Sequence, residues 1–257
     1  MKAVILAGGM GTRIREETEF RPKPMVEIGG KPIIWHIMKN LSVQGINDFV
    51  ICLGYKGEVI KDFFLNYHAR TNDVNVNTSQ PNQFQSHSST MSDNWNITLA
   101  DTGLNTQTGG RIKRVSKYLG EEPFLCTYGD GVADINLKEL KDFHFSHGKI
   151  ATVTSVNPPS RFGALTISDV GEVLEFVEKP GDTHWINGGF FIFNPSIFKY
   201  LSDDSILEQE PLRSLVSDSE LRAYKHSGFW RPMDTYRESK ELNELYEGNK
   251  APWRNWI

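Results

Sequence analysis

Near the amino terminus an apolar run, Ala3 to Ala7, breaks into GGMGTR, and ten residues beyond Arg13 stands Lys23, held between Pro22 and Pro24. Glycines grouped in this way let main chain approach another group closely. A guanidinium and an ammonium beside them make that group an anion.

Two phosphate-binding loops come to mind for glycines after a strand, and both fail on spacing. The Walker loop needs G-x-x-x-x-G-K-[ST], which does not occur here. A dinucleotide fingerprint would use Gly9 and Gly11, but Ile14 stands where its third glycine belongs, and no acidic residue closes a second strand at the required distance. A tight turn without a ligand stays open on the loop alone. Other reactive residues point to nothing. Cys52 and Cys126 each sit inside an apolar run (FVICLGY, PFLCTYGDG), as buried thiols do. The seven histidines show no zinc spacing, and His144 and His147 in ELKDFHFSHG read as helix surface.

The elements that must carry the loop follow from pattern. AVILA, NDFVICLG, NWNITLAD, PFLCTYGD and ATVTSV read as strands. PIIWHIMKNLSVQGI, GEVIKDFFLNY, GGRIKRVSKYLG and LKELKDFHFSHG have helical spacing, the first opened by Pro32 and stopped at Gly45. Alternation of this kind predicts an α/β fold, Rossmann-like, with a mostly parallel mixed sheet flanked by helices. After Val156 the pattern changes. FGALTISDVGEVLEFVEKP predicts a hairpin turning at Asp169 to Gly171, INGGFFIFNPSIFKYL a strand and short helix, and the tail from Glu208 a largely helical stretch. Residues 67–94, rich in Asn, Ser and Thr, form a long polar excursion, an inserted or mobile arm.

A length of 257 residues allows a sizeable core, and a net charge of −4 gives no nucleic-acid footprint. No run approaches the ~18–20 apolar residues of a membrane span. Only five small or apolar residues separate Lys2 from the glycines, so no secretory leader is expected and the cytoplasm is the expected location.

LAGGMGTR followed by RPKPMVEI and GGKPIIWHIM resembles the opening of the sugar-phosphate nucleotidylyltransferases, and the likeness continues through YGDG (128–131), VEKP (177–180), INGGFFIF (186–193) and WRPMDT (230–235). TEFRPKPMVEIGGKPIIWHIM and DTGLNTQTGGRIKRV look most like the members that join CTP to glucose 1-phosphate. The resemblance implies one domain over 1–257, with the nucleotide in the half 1–156 and the sugar phosphate in the half 157–257. It also implies Mg²⁺, a homo-oligomer of four or six copies with the 67–94 arm as an intersubunit contact, and a bacterial role in deoxysugars of surface polysaccharide. Membranes and nucleic acids are not expected partners.

The family's reaction needs no general base, because the attacking phosphate oxygen is already ionised near neutrality. Catalysis rests on positioning and charge stabilisation. Gly8, Gly9 and Gly11 can offer N–H groups to a triphosphate, and Arg13 can hold the departing pyrophosphate with its fork. By resemblance, Lys23 lies near the reacting phosphates, and Leu6, Ala7, Met10, Thr12, Thr102, Gly103, Gly110, Arg111 and Gly129 complete the nucleotide set. Asp130 and Asp234 would hold the metal; their structural alternatives are a turn residue and a helix N-cap. Tyr128, Glu178, Lys179, Asn187 and Gly188, with Gly189, would meet the sugar phosphate, against a cross-strand ion pair for Glu178 and Lys179 and a strand bulge for the glycines. Trp230 and Arg231, next to Asp234, read equally as site residues and as plain core and surface. Arg111 is the expected donor to cytosine N3, which uracil would reject because its N3 carries hydrogen; a solvated cation at a helix start is the alternative. Competing functions are the same transfer with UTP or dTTP, a non-catalytic nucleotide-sugar sensor, and a sugar-phosphate kinase.

Overall fold

The computed structural model describes residues 1–11, 14–77, 79, 84–87, 93–158, 164–177 and 185–256. Its centre is a seven-stranded sheet. Across it the strands run Leu221–His226, Ala151–Val156, Ile186–Phe193, Phe124–Tyr128, Ala3–Ala7, Asp48–Leu53 and Asn96–Asp101. Ile186–Phe193 alone is antiparallel to its neighbours; the other pairings are parallel.

AVILA becomes the middle of this sheet because all five residues are apolar and both sheet faces are covered. Successive side chains point to opposite faces. Ala3, Ile5 and Ala7 therefore join a core with Ile33, Ile34, Met38 and Leu41, while Val4 and Leu6 join a second core with Ile112, Val115, Phe191 and Phe193. The helix Ile33–Val43 supplies the first set and Thr108–Arg114 part of the second. Cys52 and Cys126 are buried free thiols in the second core, and burial pushes the Cys52 thiol up to about 12.

The tail from Glu208 corrects its expectation. Helices Glu210–Ser217 and Tyr236–Glu247 are present, but Leu221–His226 lies between them as an edge strand of the main sheet. LRAYKH hides this role because an edge strand carries exposed charges, here Arg222 and Lys225. His144 is a second correction. It is fully buried, with Nδ1 2.8 Å from Thr152 Oγ1 and Nε2 3.3 Å from Asn194 Oδ1, so it fastens its helix to the sheet.

The predicted hairpin is present as Ala164–Ile167 paired with Val173–Val177, and it exposes Leu165, Ile167, Leu174 and Phe176. The 67–94 stretch carries a helix, Tyr67–Thr71, and a two-stranded ladder of Asp73–Val76 with Phe84–His87. Among the described residues no helix is long and apolar enough to cross a membrane.

Candidate active site

The strand Phe124–Tyr128 ends at the carboxyl edge of the parallel sheet, beside the end of Ala3–Ala7, where such folds open a crevice. Beyond it, Gly131–Ala133 pairs antiparallel with Trp230–Pro232, and Met233 N donates to Asp130 O at 2.8 Å. That short ladder sets Asp130 and Asp234 side by side although more than a hundred residues separate them. Asp234 is not the N-cap of the helix that follows. Thr235 is, in a capping box with Glu238, whose Oε2 also accepts from Asp234 N at 2.8 Å. Asp234 lines the cleft.

Lys23 closes this corner. Pro22 and Pro24 stiffen the single helical turn Lys23–Met25. Its Nζ donates to Asp130 Oδ2 at 2.6 Å and to Asp234 Oδ1. Burial works against the lysine's charge, but the two carboxylates outweigh it, and its pKa is raised.

The glycines divide their labour. Gly9 is exposed and lines the cleft, and a Cβ placed on it would meet nothing within 4 Å among the described residues. Gly8 is buried, and a Cβ there would fall 2.2 Å from Arg111 Nη1. A Cβ on Gly54 would likewise fall 2.7 Å from Nη1. Both bare positions make room for Arg111.

Arg111 is not a solvated cation. Nη1 donates to Leu53 O, Thr102 Oγ1 and Gly103 O at 2.7 to 2.9 Å, and Nη2 to Gly8 O at 3.1 Å and Leu104 O at 3.2 Å. One guanidinium thus ties together the ends of Ala3–Ala7, Asp48–Leu53 and Asn96–Asp101. Burial lowers its pKa, with Asp101 opposing. In this arrangement the donors of its two terminal nitrogens are engaged by protein oxygens rather than presented to a base.

A cleft of about 360 Å³ gathers much of the sequence-derived set: Leu6, Ala7, Gly8, Gly9, Gly11, Lys23, Arg111, Tyr128, Gly129, Asp130 and Asp234. Met10 is exposed outside it; Thr102 and Gly103 lie behind it as Arg111's acceptors. Gly110 also serves packing, since a Cβ there would fall 2.1 Å from Asp203 O. Asn187 reaches the cleft through Tyr128, donating from Nδ2 to its hydroxyl at 3.3 Å. Gly188 and Gly189 lie where the register with Ala151–Val156 slips, and Trp230 Nε1 donates to Gly188 O at 2.8 Å. Arg231 lines a separate cavity against Glu238 and Glu241. Thr12, Arg13, Glu178 and Lys179 lie outside the described residues.

Pro24, Thr106, Gln107 and Thr108 line the cleft without having been singled out. Thr106 and Gln107 directly precede the helix Thr108–Arg114, and that place at a helix start was the available signal. Glu208 was also missed: its Oε1 accepts from Tyr128 Oη and its Oε2 from Thr108 Oγ1 at 2.7 Å. Nothing local in SILEQEP marks it.

Asp130 and Asp234 fit a hard divalent cation. Both reach one ammonium and so converge on a single point, and Mg²⁺ takes one or two carboxylates, filling its shell with phosphate oxygens and water. Among the described residues no group of three or more acidic, His or Cys side chains could enclose a metal.

The family described as nucleotidyl transferase matches residues 2–231. The glucose-1-phosphate cytidylyltransferase of Salmonella typhi is 55% identical over 259 residues, covering 100% of both chains. The probable glucose-1-phosphate cytidylyltransferase of Bacillus subtilis (strain 168) is 45% identical with the same coverage. A solved UDP-glucose pyrophosphorylase complexed with UDP-glucose is similar in fold, with a TM-score of 0.69 at 18% identity over 96% of this chain and 98% of that one.

Proposed function

Because the chain belongs to the nucleotidyl transferase family, we propose that it is a glucose-1-phosphate cytidylyltransferase, converting CTP and α-D-glucose 1-phosphate to CDP-glucose and pyrophosphate. A sugar-phosphate oxygen attacks the α-phosphorus, and the bond to the β-phosphate bridging oxygen breaks in line with it. The observation that carries the reading is Lys23, buried between two convergent carboxylates beside the bare Gly8–Gly9 main chain.

Each residue then has a role. Gly9 and Gly11 present main chain to the triphosphate, and Lys23 supplies positive charge to the reacting phosphates. Asp130 and Asp234 hold Mg²⁺, which when bound neutralises charge on the triphosphate. Arg13 takes the pyrophosphate, while Glu178 and Lys179 meet the hexose and its phosphate. The nucleotide lies toward the half 1–156 and the sugar phosphate toward 157–257. The cytosine ring lies along 102–111, where Thr106, Gln107 and Thr108 line the cleft and Arg111 holds the segment behind them through the carbonyls of Gly103 and Leu104.

We place the enzyme in the cytoplasm, as a homo-oligomer of four or six copies supplying deoxysugars of surface polysaccharide. The apolar side chains exposed on the hairpin 164–177 support the assembly. The test is pyrophosphate release from glucose 1-phosphate and Mg²⁺ with each triphosphate in turn. CTP is expected to lead, and Asp130→Asn and Asp234→Asn each to abolish release. Near-normal turnover in either variant would remove that carboxylate from the metal site. Preference for UTP or dTTP would overturn the choice of base.

A further inference from the structure

Both oxygens of Glu208 are occupied although its side chain is exposed. A solvated glutamate ordinarily loses little by swinging free, so two simultaneous partners ask for a reason. Those partners come from separate elements and both line the cleft. Thr108 opens the helix beside the proposed nucleotide position, and Tyr128 stands beside the proposed sugar position.

The proton directions along this chain are fixed. Leu207 N donates to Thr108 Oγ1 at 2.9 Å, so the threonine hydroxyl is left to donate to Glu208 Oε2. An ionised carboxylate only accepts, so Tyr128 must turn its hydroxyl proton to Oε1. The phenol oxygen then faces Asn187 as an acceptor. Asn187 is itself oriented, because its Oδ1 accepts from Gly189 N at 2.8 Å. The Tyr128 ring is held as well: Gly189 has φ +79°, and a Cβ there would fall 2.5 Å from the ring.

We propose that Glu208 is a positioning residue that couples the two substrate sites, holding Thr108 at the nucleotide site and Tyr128 as an acceptor for a hexose hydroxyl at the other. The proposal rests on the cytidylyltransferase reading given above. Binding at either site stiffens a chain that the other site shares, so each substrate improves the other's affinity by the same factor.

The experiment measures glucose 1-phosphate binding to the whole protein with and without the non-reacting α,β-methylene analogue of CTP. The wild type is expected to show coupling on the order of 10-fold. Glu208→Ala should bring the factor to one and raise KM for glucose 1-phosphate, and adding Tyr128→Phe to it should raise KM no further. Glu208→Gln keeps an acceptor for Tyr128 but not for Thr108; it should restore KM and leave the coupling lost. An unchanged factor in Glu208→Ala, no coupling in the wild type, or equal weakening of both substrates with a lowered Tm would each overturn the proposal. Absence of pyrophosphate release by the wild type would instead overturn the reading beneath it.

Discussion

Lys23 and Arg111 are the buried lysine and arginine among the described residues, 8% and 4% exposed, and both border one cleft. Their surroundings are opposite. Lys23 has two carboxylates, and its pKa is raised; Arg111 has neutral carbonyls and a hydroxyl, and its pKa is lowered by burial. A cation between anions can be exchanged, because an arriving metal ion or phosphate alters its partners one for one. A cation whose fork is filled by main chain is part of the frame. Two positive charges bordering one cleft thus divide chemistry from scaffolding by the kind of oxygen they face.

Substituting the two cations breaks the comparison most directly. Lys23→Met should lower kcat by about 10³-fold, since it removes positive charge from the reacting phosphates, and should also lower Tm because Asp130 and Asp234 are left facing each other. Arg111→Ala should act chiefly on the frame, costing about 3 kcal/mol of stability by leaving buried carbonyls without donors. Arg111→Lys should recover little of that, since an ammonium cannot span the fork's acceptors. An Arg111→Ala protein with wild-type Tm would remove the scaffold role, and unchanged preference for CTP over UTP would detach the residue from base choice.

The adjacent glycines sharpen the same division on a smaller scale. Gly8→Ala drives a Cβ into Arg111 and should cost about 2 kcal/mol by overpacking. Gly9→Ala meets nothing within 4 Å among the described residues, so its Tm should stay level while KM for CTP rises. Equal loss of stability in both variants would mean that the loop's bareness serves packing alone.

His36 extends the comparison to a buried group that can discharge. It is fully buried, its Nε2 lies 2.8 Å from Ile28 O, and burial pushes its pKa down to about 4. The unfolded chain takes the proton first as pH falls. Stability from this group is therefore whole above about 6.5 and is lost on going down toward about 4, by at most about 1.4 kcal/mol per pH unit. Melting curves over that window should flatten in His36→Gln; an equally steep decline would assign the acid sensitivity elsewhere.

The sequence was readable where a residue's role depends on its neighbours in the chain. AVILAGG shows a buried strand delivering glycines to a sheet edge, and RPKP shows a lysine on a stiffened turn. It was not readable where direction decides. Arg111 sits in a helix whose spacing does not say whether its guanidinium turns to the base or back onto Gly8. Glu208 gains its partners from segments about a hundred residues upstream, and Leu221–His226 looks like surface because it carries exposed charges.

The ladder between Gly131–Ala133 and Trp230–Pro232 has a consequence in time as well as in space. A chain still emerging from the ribosome can already have closed the strands that end in Gly8 and Gly129. It lacks one of the two aspartates, and the strand that orients the other, until residues 230–234 emerge and dock. If Asp130 and Asp234 hold the metal as proposed, competence to join nucleotide and sugar is withheld from partial translation products, and loss of the last few dozen residues would silence the molecule at its centre.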